Sequence, residues 1–233
     1  MIRNSRSPIT PSDPDAGITL VELLVAVVVA GILSAIVLNL FISTNKAVGT
    51  ASSSTMNSRT AANAMDEISR VIRSATNNPL PGGLVQPAVL VASRESLTVI
   101  AYVDSDAVDP RPVRVQFTVD PTTRQIVERR WSAKNGANGL FVFDATNSLI
   151  STRTLPGRII APTESGEPWL FTFLRMDRAT PIDPADGSLD EANRRLIATI
   201  RVTVVTLGSE SAMSKPATLS NVVGMPNLGR LKP

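Results

Sequence analysis

The sequence contains no cysteine and no histidine among its 233 residues. Without cysteine there are no disulfides, no thiolate nucleophile and no cysteine-ligated zinc. Without histidine the commonest general base and metal ligand is missing, and so are the serine and cysteine triads that depend on it. A carboxylate or lysine mechanism survives both absences, so composition by itself leaves catalysis open. Aromatic residues are few, at two Trp, one Tyr and six Phe, and no basic stripe with interleaved aromatics is present. The formal charge of +3 comes from dispersed arginines, so no nucleic-acid partner is expected. No phosphate loop, nucleotide fingerprint or supported carboxylate pair stands out. The expectation is a protein that is not an enzyme and has no cofactor, no catalytic residue and no bound metal.

What the sequence does have is a steep asymmetry. Residues 1–17 (MIRNSRSPITPSDPDAG) are polar, carry three prolines and show neither a helical nor a strand period. Residues 18–42 (ITLVELLVAVVVAGILSAIVLNLFI) are apolar except for Thr19, Glu22, Ser34 and Asn39. As a helix rising about 1.5 Å per residue, this run would cover roughly 37 Å, more than the ~30 Å hydrocarbon core of a bilayer. It is also longer than the apolar region of an ordinary secretory signal. Residues 43–62 are rich in Ser, Thr, Ala and Asn. Beyond them Met65, Ile68, Ile72 and Ala75 recur on one helical face, with Asp66, Glu67, Arg70 and Arg73 largely off it. The pattern predicts one helix from about Thr19 to about Ala75, ended by the NNPLPGG segment at 77–83.

After Gly83 the period changes to two and β-branched residues dominate. Strands are predicted at 84–91, 96–103, 113–120, 125–131, 140–144, 169–176 and 196–207. The third and fourth are joined across a short Pro121–Arg124 turn. In the last strand Leu196, Ala198, Ile200, Val202 and Val204 make a core face, opposite a more polar face with Thr199, Arg201 and Thr203. The acidic loop at 183–191 does not have the EF-hand spacing and reads as a solvated turn before it reads as a calcium site. Asp104, Asp106 and Asp109 read the same way. Arg129, Arg130, Trp131 and Lys134 form either a cation–aromatic surface or a solvated strand edge.

Glu22 is the residue most out of place. A carboxylate inside a membrane-length apolar helix costs about 2.5–3.5 kcal/mol near the centre and less toward the end, so it needs a partner or a purpose. The string Ala16-Gly17-Ile18-Thr19-Leu20-Val21-Glu22-Leu23-Leu24-Val25-Ala26 closely resembles the processing motif of the type IV pilins and pseudopilins. The resemblance implies cleavage between Gly17 and Ile18 by a prepilin peptidase, with methylation of the new Ile18 amine. It implies that Glu22 acts in assembly, neutralising the Ile18 amine of a neighbouring subunit when apolar helices pack into a filament. Two charges that are each costly in an apolar core become tolerable as a pair, and a subunit entering out of step buries one of them unpaired. Gly31, Ser34 and Ala35 are small enough to let helices approach closely. Ile18 stands where that family usually has Phe.

The Ala64–Ala75 helix end, an Arg-rich strand at 127–131, an aromatic strand at 170–174 and the tail at 218–228 are similar to J-type pseudopilins and W-type minor pilins. The fold class implied is α+β: a long N-terminal α-helix, its first half transmembrane, packed on an antiparallel β-sheet head. The domains are a leader at 1–17, a transmembrane and filament-core helix at 18–42, an amphipathic continuation at 43–76 and a β-rich head at 77–233. The function implied is that of a minor subunit that initiates or caps a type IV pilus or a type II secretion pseudopilus. Its partners would be the prepilin peptidase, other pilin or pseudopilin subunits, the inner-membrane assembly platform and membrane lipid. It would be a single-pass cell-membrane protein with its head outside the cytoplasm before it enters the filament. The competing expectation is a single-pass anchored binding module that does not polymerise, such as an adhesion or DNA-uptake accessory protein.

Overall fold

The computed structural model describes residues 18–103, 110–144, 147–160, 168–184, 187–207 and 216–228. The chain divides into two compact units, one ending at Gly49 and the other starting at Thr50. Helix α1 (Leu20–Arg73) supplies nearly all of the described part of the first unit and opens the second.

In the first unit every described residue is exposed, including the whole apolar run from Leu20 to Ile42. Two of its polar side chains bond back to the helix. Asn39 Nδ2 donates to the Ala35 carbonyl at 2.9 Å and Thr44 Oγ1 donates to that of Leu40 at 2.8 Å. An apolar helix whose polar groups close on its own backbone suits a solvent that offers no hydrogen bonds. The helix is long and apolar enough to cross a membrane, which fits a membrane anchor.

The second unit is built around the other end of α1. Ala61, Ala64, Met65, Ile68, Val71 and Ile72 are buried at three- and four-residue spacing. They share one core with residues of two antiparallel sheets. The first sheet has the order β3 (Val89–Ala92), β4 (Ser96–Ala101), β5 (Val113–Val119), β6 (Ile126–Ser132) and β9 (Leu149–Thr154). It contributes Leu97, Val99, Val115, Phe117 and Ile126 to the core. The second sheet is organised on β13 (Thr199–Leu207). One edge of β13 pairs with β14 (Ala217–Gly224), and the other is shared by β11 (Phe171–Leu174) and β10 (Arg158–Ile159). β12 (Pro181–Ile182) extends this sheet beyond β11. The two-stranded pairs β1 (Asn78–Pro79) with β2 (Val85–Gln86), and β7 (Lys134–Asn135) with β8 (Phe141–Val142), complete the strands. The fold is therefore α+β, a long N-terminal apolar helix followed by antiparallel sheets.

The turn between β5 and β6 shows how local chemistry fixes the register. Asp120 Oδ1 accepts the Thr122 and Thr123 amides at 2.9 and 2.8 Å, which holds its carboxyl below the usual range. Arg124 follows with φ of 56° and forks onto Glu95 of the β3–β4 turn at 2.7 and 3.0 Å. The Arg124 backbone carbonyl takes the Ile159 amide of β10 at 2.7 Å, so a single residue ties three segments together.

Several details differ from the sequence expectations. The structure adds strands Leu149–Thr154 and Ala217–Gly224 to those expected, splits the one expected at 84–91 and shortens the one expected at 169–176 to Phe171–Leu174. Leu196 belongs to the C-terminal cap of a short helix, α2 (Glu191–Arg195), and not to the last strand. The expected polar face of that strand is mostly buried: Thr199 and Thr203 are within the fold and only Arg201 stays exposed. The strand expected at 140–144 shortens to Phe141–Val142.

Candidate functional site

At the start of α1 the Glu22 side chain folds back on Thr19. Its Oε2 accepts both the Thr19 amide and the Thr19 hydroxyl at 3.0 Å, and the Glu22 amide donates to Thr19 Oγ1 at 3.2 Å. The Leu23 amide then donates to the Thr19 carbonyl at 3.1 Å, the first turn of the helix. This is a capping box, in which Thr and Glu three residues apart satisfy each other's orphan amides where a helix begins. Sequence reasoning singled out Glu22 but passed over Thr19. The Thr-Leu-Val-Glu spacing carried the signal and is legible without a structure. Glu22 Oε1 accepts no hydrogen bond among the described residues. Ile18, the next residue toward the N-terminus, is 78% exposed. Gly17 and the rest of residues 1–17 lie outside the described residues. Gly31 has open space where a Cβ would stand, so the small face it shares with Ala35 is bare in the lone chain.

The other charged cluster lies in the second unit, where α1 meets the first sheet. Glu128 on β6 is 1% exposed, and its carboxylate is gripped by Arg130 Nε at 2.6 Å and by Arg153 Nε from β9. Glu67 on α1 accepts Arg70 at 2.7 Å, Arg130 at 2.9 Å and Arg153 at 2.6 Å. Burial pushes the Glu67 carboxyl up, but the hydrogen bonds and charges of Arg70 and Arg153 together hold it below its ordinary value. Burial likewise opposes the charge of Arg153, and the two carboxylates outweigh it. Two Glu shared among three Arg form a satisfied network whose use is to dock the helix on the sheet.

That network takes up one member of the cationic surface considered from the sequence. Arg130 is spent on Glu67 and Glu128, Lys134 reaches Asp144 at 3.3 Å, and Arg114 lies 4.5 Å over the Trp131 ring. β6 is paired on both sides, by β5 and β9, so it is not a sheet edge. In the acidic loop Asp183 pairs with Arg94 at 3.1 Å, Asp190 caps α2 by accepting the Asn193 amide at 2.8 Å, and Glu191 pairs with Arg195 at 2.6 Å. Residues 185–186 of that loop and residues 104–109 lie outside the described residues. Among the described residues no three metal-ligating side chains converge.

Residues 14–38 match the family described as the prokaryotic N-terminal methylation motif. The match spans the Gly17–Ile18 junction, Thr19 and Glu22, and stops short of the second unit. It supports the type IV pilin and pseudopilin family, whose members are structural subunits processed by a prepilin peptidase and not enzymes. No curated protein matches the chain.

Proposed function

We propose that the chain is a minor pilin or pseudopilin. In this reading the prepilin peptidase cuts between Gly17 and Ile18, removing the leader at 1–17, and the new Ile18 amine is methylated. The helix at 18–42 anchors the chain in the cell membrane and later lines the filament core. The amphipathic stretch at 43–76 continues it, and residues 77–233 form the head outside the cytoplasm. The subunit passes through the inner-membrane platform and joins other subunits to initiate or cap a pilus or pseudopilus. The observation that carries the reading is the methylation motif at 14–38, laid over the first turn of an apolar helix that is exposed along its whole first unit.

The capping box supports a specific role for Glu22. Thr19 holds the carboxylate at the helix start, on the side where a processed amine at Ile18 would lie, and leaves Oε1 open to an incoming cation. In a filament the amine of a neighbouring subunit takes that position, and the buried pair sets the axial register.

Intact-mass analysis of chain extracted from membranes tests the processing. The expected mass is that of a chain beginning at Ile18 and carrying one methyl group; a mature chain beginning elsewhere would overturn the reading. Two substitutions test assembly. Glu22→Ala removes both the cap and the charge, whereas Glu22→Gln keeps a capping-box residue without the charge. Both variants should be cleaved, and neither should enter filaments. Assembly of the Gln variant would refute charge pairing. Normal function of both, with no filament incorporation of the wild type, would favour the anchored binding module.

A further inference from the structure

A cleft of about 540 Å³ opens in the second unit between the end of β11, the end of α2 and the segment entering β3. Val89 and Ile197 form a buried part of its lining, while Met176 and Leu196 line it at 84% and 46% exposure. Arg175, Arg194 and Arg195 also line it, and no carboxylate does so among the described residues.

The three guanidinium groups are unequally engaged. Arg195 is bound by Glu191 at 2.6 Å and by the Val85 carbonyl at 2.9 Å. Arg175 is exposed and lies in the field of Asp177, whose carboxylate is already taken by Thr180 and the Ala179 amide. Arg194 gives one terminal nitrogen to the Leu189 carbonyl at 2.6 Å, yet its Nε is buried with no hydrogen-bond partner. That atom is closed off from solvent; the Arg194 donor a ligand can reach is Nη2, which makes no hydrogen bond among the described residues. Carboxylates match the planar guanidinium fork.

The apolar side chains narrow the choice of ligand. A small inorganic anion would satisfy Arg194 and leave Met176 and Leu196 in water. A segment with a carboxylate beside an apolar side chain would satisfy both. The volume lies within the range of about 300–1,000 Å³ typical of sites that enclose a ligand.

We propose that this cleft docks an acidic peptide segment of a partner protein, with a carboxylate on Arg194 and Arg175 and an adjacent apolar side chain against Met176 and Leu196. The proposal goes beyond the filament reading and does not depend on it, because the cleft is built from the second unit alone.

The test uses the full chain in nanodiscs of zwitterionic lipid and a fluorescent, acetylated hexapeptide alternating glutamate and leucine. Controls are the same peptide with lysine for glutamate, a glutamate–serine version, and free glutarate. The glutamate–leucine peptide should bind saturably, and binding should weaken with salt. Arg194→Gln and Arg175→Glu should each weaken it by about tenfold or more, as loss of a charge-assisted bond does. Met176→Ser should weaken it less, and Arg158→Gln, at an exposed position of β10, should leave it unchanged. Arg175 is exposed, so its variant reports even if Arg194→Gln fails to fold. The proposal is overturned if no saturable binding occurs, if the lysine or serine peptide binds equally well, or if neither arginine variant changes affinity. Glutarate binding as tightly as the peptide would also overturn it, marking a small-dicarboxylate site instead.

Discussion

Gly157 sits in the turn between β9 and β10 with φ of 95°. Its backbone passes close to α1. A Cβ placed there would stand 2.5 Å from Thr60 Cγ2 on the helix and 3.4 Å from Thr206 Cγ2 on β13. Thr206 itself bonds the helix, its Oγ1 donating to the Asn57 carbonyl at 3.3 Å. Gly157→Ala therefore meets two separate penalties. Holding a residue with a Cβ at that φ costs about 1–3 kcal/mol, and forcing a methyl into a filled contact costs about 1–3 kcal/mol more. The smaller entropy of the unfolded alanine chain returns only about 0.4–1 kcal/mol. The net loss is about 3 kcal/mol, or roughly 6–12 °C in Tm at about 2–4 °C per kcal/mol for a domain of this size.

The two penalties separate in a double-mutant cycle followed by thermal unfolding of the full chain in detergent. Thr60→Ser deletes the Cγ2 that the new methyl strikes, so it should recover about half of the loss and leave the backbone penalty in place. An alanine variant that melts within about 2 °C of the wild type would refute the argument. So would a double variant no more stable than Gly157→Ala alone, because the close approach to Thr60 would then not be the cause.

Glu67 gives a pH signature. Its folded pKa lies below its ordinary 4.5, so the unfolded chain takes up the proton first as the solution is acidified. The stabilisation it contributes is therefore fully present above that ordinary value and is lost as pH falls through the folded one. Glu67→Gln should lower Tm at about pH 7, and the gap to the wild type should narrow as the pH falls below the ordinary 4.5; a gap that does not narrow with acid would count against the network. Asn77 accepts the amide of buried Ala88 at 2.9 Å and donates to the Leu228 carbonyl at 2.7 Å. Asn77→Ala should cost about 1–3 kcal/mol and speed hydrogen exchange selectively at Ala88; a uniform change across the sheet would show that this bond is not what holds the segment.

The helix was the most legible element because its period and its length agree. The expected span from Thr19 to Ala75 became Leu20–Arg73, and the buried stripe runs through the positions the spacing picked out. Strands with one buried face were also legible, such as Val113–Val119, where Val115, Phe117 and Val119 alternate with less buried residues. Strands at sheet edges were not. All six residues of Leu149–Thr154 are exposed, so burial imposes no alternation on the sequence there. In Ala217–Gly224 only Val223 is buried. Backbone pairing to β6 and β13 defines these two strands, and pairing leaves little mark on side-chain choice. The polar face of β13 misled for the opposite reason. Threonine is short enough to be buried, whether its hydroxyl finds a partner, as Thr203 does with Ser220 at 3.1 Å, or is left without one among the described residues, as in Thr199.

At the candidate site, legibility depended on what kind of partner a residue has. Glu128 and Glu67 look like surface charges in the sequence; Arg130 lies only two residues from Glu128, but only the fold brings Arg153 to both and Arg130 to Glu67. Glu22 is different, because its partner in the lone chain is three residues away. In the filament reading proposed above, a carboxylate at the mouth of an apolar helix would have two demands to meet: it must be tolerated before assembly and be available during it. The capping box meets the first by pairing Oε2 with Thr19, where the helix would otherwise leave amides unmade. The second is met by the same geometry, since the bonds to Thr19 occupy one oxygen and fix the direction of the other. Thr19 is then as much a part of the site as Glu22. A residue that only aids helix formation and a residue that aims a charge make the same hydrogen bonds here, so on the proposed reading one helix-start signal in the sequence would serve both purposes.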